Sequence, residues 1–190
     1  PWCDGTVFVV VADHGARVYG KAEIPLETYE IPLMIYSPQH IAPRQVDTLM
    51  TQIDIAPTVL DVAGLPHPAA VHGVTQDPLH GVSMRYSFNE GHADDRHTTQ
   101  YFEIGGNRGI YHQGWTAVTK HATPWVAMAE LPAFADDVWE LYAPGDWTQA
   151  NDLAAAMPDK RAFMKALFDS EAKKNHVLPL DDRGTGRLVS

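Results

Sequence analysis

Asp13, His14 and Gly15 stand in a row directly after an apolar run, and their residue types suit metal-assisted chemistry. Aspartate offers a hard anionic oxygen and histidine a neutral nitrogen. Adjacent in a turn, both can face one divalent cation, while Gly15 lets the backbone fold tightly past it. A cation held there binds an oxyanion and lowers the pKa of a nucleophile. The tripeptide reads equally as a plain strand-end turn, with Asp13 bonded to nearby backbone and His14 facing water. Two adjacent ligands are too few for a closed site, so the rest must come from elsewhere. Cys3 is the sole cysteine, which rules out an internal disulfide. Gly81-Val82-Ser83 lacks the G-x-S-x-G frame of a nucleophile elbow.

The elements that must position this turn are legible on either side of it. Thr6–Ala12 (TVFVVVA) is apolar and β-branched, the pattern of a buried strand. In open α/β sheets, ligands bind at the carboxyl ends of such strands. Pro32–Ser37 (PLMIYS) reads as a second buried strand. Thr51–Gly64 reads as a helix that starts near Asp54 or Ile55, where Pro57 fits the first turn. Its apolar face is Ile55, Val59 and Val62, and Gly64 is its stop. Strand, loop, strand and helix make an α/β layer. A chain that opens directly into a buried strand is expected to be part of a longer one.

Composition shifts near Leu65, and residues 65–81 read as a long surface connection rich in proline, glycine and histidine. Beyond it, Thr99–Ile104, Gly109–Lys120 and Val138–Tyr142 read as short strands, the first two joined by a hairpin turn. Pro158 begins a helix to about Lys174, with Phe163, Ala166, Leu167 and Ser170 on one side. The expected architecture is α/β: a sandwich segment followed by a small antiparallel sheet with a C-terminal helix packed on it. Domain 1–70 carries the strand-end turn, and domain 71–190 is the second subdomain.

A net charge of −10 without a basic run argues against nucleic acid as a partner. An anionic substrate stays open, because a metal ion sets the local field. No apolar run reaches the length of a membrane span.

VFVVVADHGARVYGKAEIPLETYEIPLMIYSP and QIDIAPTVLDVAGLP resemble the alkaline phosphatase superfamily, which includes sulfatases, phosphonate monoester hydrolases and lipoteichoic acid synthase-like phosphoglycerol transferases. The resemblance implies that Asp13 and His14 bind the active-site metal: one divalent ion, Ca²⁺, Mg²⁺ or Mn²⁺. Sulfatases carry a sulfate-binding lysine eleven residues before the proline of the next strand, and Lys21 and Pro32 have that spacing. A loop lysine is otherwise mostly solvated. Arylsulfatases have Asn where this chain has His14. Histidine there, and the ARVYG segment with Arg17 and Tyr19, are closer to the phosphonate hydrolases and phosphoglycerol transferases.

GVTQDPLHGVSM, HTTQYFEIGGNRGIYHQGWTAVTKH, DVWELYAPGDWTQANDLAAAMPDK and VLPLDDR resemble the C-terminal subdomain of bacterial arylsulfatases. There Trp115 and Trp139 are expected to pack the sheet on the helix, with sugar stacking as the alternative. The family's nucleophile is a cysteine in a C-x-P-S-R setting, converted to formylglycine. Cys3 lacks the Pro, Ser and Arg, so formylglycine is expected outside these residues.

The resemblance implies a metal-dependent sulfuric ester hydrolase acting on small-molecule sulfate esters. The 190 residues alone are expected to be inactive. A phosphodiesterase, phosphonate hydrolase or phosphoglycerol transferase is the alternative enzyme, and a metal- or partner-binding remnant is the non-catalytic one. Export to the periplasm or the medium is the expectation for location.

Overall fold

β1 (Phe8–Val11) and β2 (Leu33–Tyr36) pair antiparallel, with Val10 opposite Met34 and Phe8 opposite Tyr36. The computed structural model describes residues 3–16, 22–123 and 131–181. This pairing departs from the buried strands that the sequence predicts. Val10, Met34 and Tyr36 are each about half exposed, so side chains on one face of this two-stranded ribbon are open. An all-apolar run favours a strand, but apolar content alone does not fix how many of its faces are covered.

The chain forms two compact units by its internal contacts. One comprises residues 1–11 and 33–97; the other comprises residues 12–32 and 98–190. The compositional shift at Leu65 falls inside the first unit.

In the first unit, α1 (Ile55–Ala63) follows a 3-10 turn at Gln52–Asp54. It ends where Gly64 takes a left-handed φ of 66°, a conformation glycine adopts without a Cβ clash. The inward side chain is Thr58, whereas Val59 and Val62 are exposed, the reverse of the apolar face expected from sequence. Thr58 is drawn inward because its hydroxyl donates to Asp54 O and accepts from Met84 N. Residues 65–81 are not all loop. They hold a short hairpin of β3 (Ala70–Val71) and β4 (Val74–Thr75), turned at His72 and Gly73 with positive φ.

In the second unit, β5 (Thr99–Ile104), β6 (Asn107–His112), β7 (Trp115–Thr119) and β8 (Glu140–Tyr142) form an antiparallel sheet in sequence order. The expected strand 109–120 is therefore two, broken at Gln113 and Gly114, both with positive φ. α2 (Pro158–Lys174) packs on one face of this sheet, its core facing Ile110, Ala117, Trp139 and Leu141. The helix buries Met164, Phe168 and Ala172, spaced four apart, rather than the predicted stripe. Phe163, from that stripe, is half exposed and lies against His112, while Leu167 is partly buried. Ala22 and Ile24 pack with Val118 and Tyr142 on the opposite side of the sheet, a pairing that follows from strand alternation.

Candidate functional site

β1 is short and apolar, and the chain leaves it at Ala12, whose N–H donates to Pro32 O. Asp13 and His14 follow in a bend, and both side chains are exposed, 91% and 82% respectively. Asp13 Oδ1 accepts from His14 N at 3.0 Å. His14 Nδ1 lies 2.9 Å from Gly15 O, which can only accept, so Nδ1 carries the proton. The neutral ring then presents its lone pair at Nε2, 3.8 Å from Asp13 Oδ1. The Gly15 carbonyl first, and then the Asp13 charge, raise the His14 pKa above its ordinary 6.5.

This donor set fits one divalent cation as part of a larger site. A carboxylate oxygen and an imidazole nitrogen converge, and the imidazole is oriented by a backbone carbonyl on its other nitrogen, the arrangement typical of ligating histidines. Among the described residues no group of three or more His, Cys, Asp or Glu side chains could hold a metal by itself. Lys21, the predicted sulfate-binding residue, lies outside the described residues, as do Arg17 and Tyr19.

Gly15 cannot be any other residue without movement. A Cβ there would collide with the carbonyl oxygen of Thr28 and lie 2.9 Å from that of Glu30. Thr28 belongs to a 3-10 turn, Leu26–Tyr29, whose ends are held within the same unit. Leu26 N donates to Gln149 Oε1 at 2.5 Å, Glu23 N donates to Glu140 Oε2, and Tyr29 packs on Phe102 with ring centroids 5.5 Å apart. None of these anchors was legible in the sequence, because each joins residues more than seventy positions apart.

A second Asp–His pair occurs in the first unit. Asp54 and His97 are buried, with His97 Nδ1 3.1 Å from Asp54 Oδ1. Asp54 Oδ1 also accepts from Val82 N, and Oδ2 accepts from Thr51 N. Burial pushes the Asp54 carboxyl up, but the bonds from His97, Val82 and Thr51 outweigh it and hold the pKa below the usual carboxylate range. All of its donors are internal, so this pair fastens α1 to the 82–97 segment. One signal could have found it: a carboxylate three residues after Thr51 at a helix start is in reach of that residue's N–H. His97 itself is buried just before β5.

In the second unit Arg108 pairs with Asp137, which also lies 2.9 Å from His121 Nδ1, and Phe134 stacks on His121. Trp139 is buried against Phe168, so it offers no face for a sugar; Trp115 is partly buried, with Lys160 Nζ 4.9 Å from its ring centre. Cys3 sits in a 3-10 turn before β1 and is partly buried.

Comparison with known proteins bears on this geometry. The sulfatase family model matches residues 4–65, a span that includes both β1 and the Asp13–His14 bend. Arylsulfatase K of Canis lupus familiaris is 33% identical over 79 residues, 39% of this chain and 15% of that protein. Arylsulfatase K of Xenopus laevis is 23% identical over 172 residues, 82% of this chain and 29% of that protein. The chain therefore spans well under half the length of these relatives. A solved structure from Bacteroides thetaiotaomicron, described under metabolism of multiple glycosaminoglycans, superposes with a TM-score of 0.65. It is 16% identical, covering 90% of this chain and 39% of that one. A protein in the alkaline phosphatase superfamily from Vibrio parahaemolyticus gives a TM-score of 0.53 at 23% identity, covering 92% of this chain and 36% of that one. The likenesses to solved structures show the α/β fold, and residues 4–65 match the sulfatase family model.

Proposed function

We propose that this sulfatase-family chain is part of a metal-dependent sulfuric ester hydrolase, with Asp13 and His14 holding the divalent metal and Lys21 binding the sulfate. The observation that carries the reading is the convergence of Asp13 Oδ1 and His14 Nε2 at the end of β1, within the segment matched by the sulfatase family. When bound, the metal polarises the sulfate oxygens and favours the ionised form of a nucleophile. Asp13 supplies the negative charge that retains the cation. The Gly15 carbonyl holds a proton of His14 on Nδ1, so Nε2 is the ring nitrogen left to face a metal once the imidazole is neutral. A lysine ammonium beside the sulfur centre stabilises the charge that develops in the transition state.

The reading assigns the nucleophile, a formylglycine, to residues outside these 190, and it treats residues 1–70 as catalytic core and 71–190 as a C-terminal subdomain. It follows that the 190 residues alone are inactive. Metal-dependent turnover of an aryl sulfate by this polypeptide alone contradicts that assignment. His14 favours a second reading, a phosphodiesterase, phosphonate hydrolase or phosphoglycerol transferase. Parallel kinetics on aryl sulfate and aryl phosphodiester substrates, using the product of the complete gene, separate the two. The sulfatase reading predicts the larger kcat/KM for the sulfate and its loss in Asp13→Ala.

A further inference from the structure

We infer that Gln149 is a positioning residue for the Asp13–His14 loop, acting through the segment 22–30; the inference rests on the metal-binding reading of that loop. The chain of contacts runs entirely within the second unit. Asp13 and His14 are fully placed only if Gly15 stays in register, and Gly15 sits with no room for a Cβ against the backbone of Thr28 and Glu30. The position of that backbone is therefore the position of the loop. The segment does not rest on the sheet by apolar packing alone. A cavity of about 370 Å³ lies between Leu26 and Tyr29 on one side and Phe102, Gly109 and Val118 on the other. Where a side-chain layer is incomplete, fixed polar anchors set the height of the segment above it.

Gln149 is the anchor nearest the middle of the segment. It is buried at 2% exposure, and its amide oxygen accepts from Leu26 N. Its Nε2 is buried without a hydrogen-bond partner. Its backbone also adopts a φ of 51°, which is uncommon for a residue with a side chain. A buried donor left unmade and a left-handed backbone are both unfavourable. Their persistence at the residue that holds Leu26 is what marks Gln149 as more than filling. A residue present only to fill space would be apolar here.

The test uses the protein expressed from its complete gene. Gln149→Met keeps the volume and removes the acceptor, while Gln149→Glu keeps an acceptor. Amide hydrogen exchange is read over residues 12–16, and Mn²⁺ affinity is read by EPR titration. In Gln149→Met, exchange over 12–16 accelerates and Mn²⁺ binds about ten- to a hundredfold more weakly, the range found when groups that orient ligands are removed. Gln149→Glu restores both. Glu140→Ala, which releases Glu23 N at the start of the same segment, moves both readouts in the same direction from a partly exposed site. Unchanged exchange and unchanged affinity in a folded Gln149→Met protein overturn the inference. Accelerated exchange without Mn²⁺ binding by the wild type supports the positioning role and sinks the metal reading, so the two failures are distinguishable.

Discussion

Two of the aspartate–histidine pairs in the molecule are of opposite character. Asp13 and His14 are neighbours in sequence and almost fully exposed; Asp54 and His97 are 43 positions apart and buried. In the exposed pair, Asp13 Oδ1 and His14 Nε2 are 3.8 Å apart, too far for a hydrogen bond. In the buried pair, both carboxylate oxygens accept from backbone N–H groups of the protein. Identical residue types are thus proposed as ligands in one place and form an internal fastening in the other. Solvent access and the count of internal donors decide between the roles.

The largest expected effect lies at the buried pair. Asp54→Ala leaves His97 and two backbone donors without their acceptor, and removing one partner of a buried pair costs about 3–5 kcal/mol. Urea denaturation should show that loss in the midpoint. Phe168→Ala in α2 tests ordinary core packing on the same scale, about 3–5 kcal/mol, and should leave metal affinity unchanged if the protein still folds.

Acid sharpens the comparison further. The folded pKa of Asp54 lies below its ordinary value of 3.8, so its contribution to stability is present above that value and is lost as pH falls through the folded pKa. Thermal melts between about pH 5 and pH 3 should show a steeper decline for the wild type than for Asp54→Asn, which has no carboxylate to protonate. Parallel curves break the assignment of Asp54 as the linked group.

The exposed pair should give the smallest change in stability. Asp13→Ala is expected to alter unfolding free energy by no more than about 0.5 kcal/mol, as at other exposed surface positions. A destabilisation comparable to that of Asp54→Ala would show that the bend is a structural fastening as well.

The sequence reveals more of the exposed pair than of the buried one, for physical reasons. Asp13-His14-Gly15 is contiguous, so composition and order display it directly. β5 and α2 match their predicted bounds because local signals set them: the glycines and Asn107 of the hairpin turn after Ile104, and Pro158 at the first helical position. The inward faces of α1 and α2 do not follow from hydrophobicity. Thr58 goes inward to bond Met84 N, and Phe163 stays at the surface against His112. The Asp54–His97 pair and the Gln149 anchor depend on contacts between distant positions, which no single window of the chain displays.

The most direct test of the central claim is the Mn²⁺-dependent shift in melting temperature of the complete gene product. A ligand at a hundred times its Kd stabilises by about 2.7 kcal/mol, which raises the melting temperature by a few degrees. The account predicts that rise in the wild type, its retention in Asp54→Asn from a lower starting temperature, and its loss in both Asp13→Ala and His14→Ala. A rise that survives in Asp13→Ala and His14→Ala would contradict the account and place the metal elsewhere.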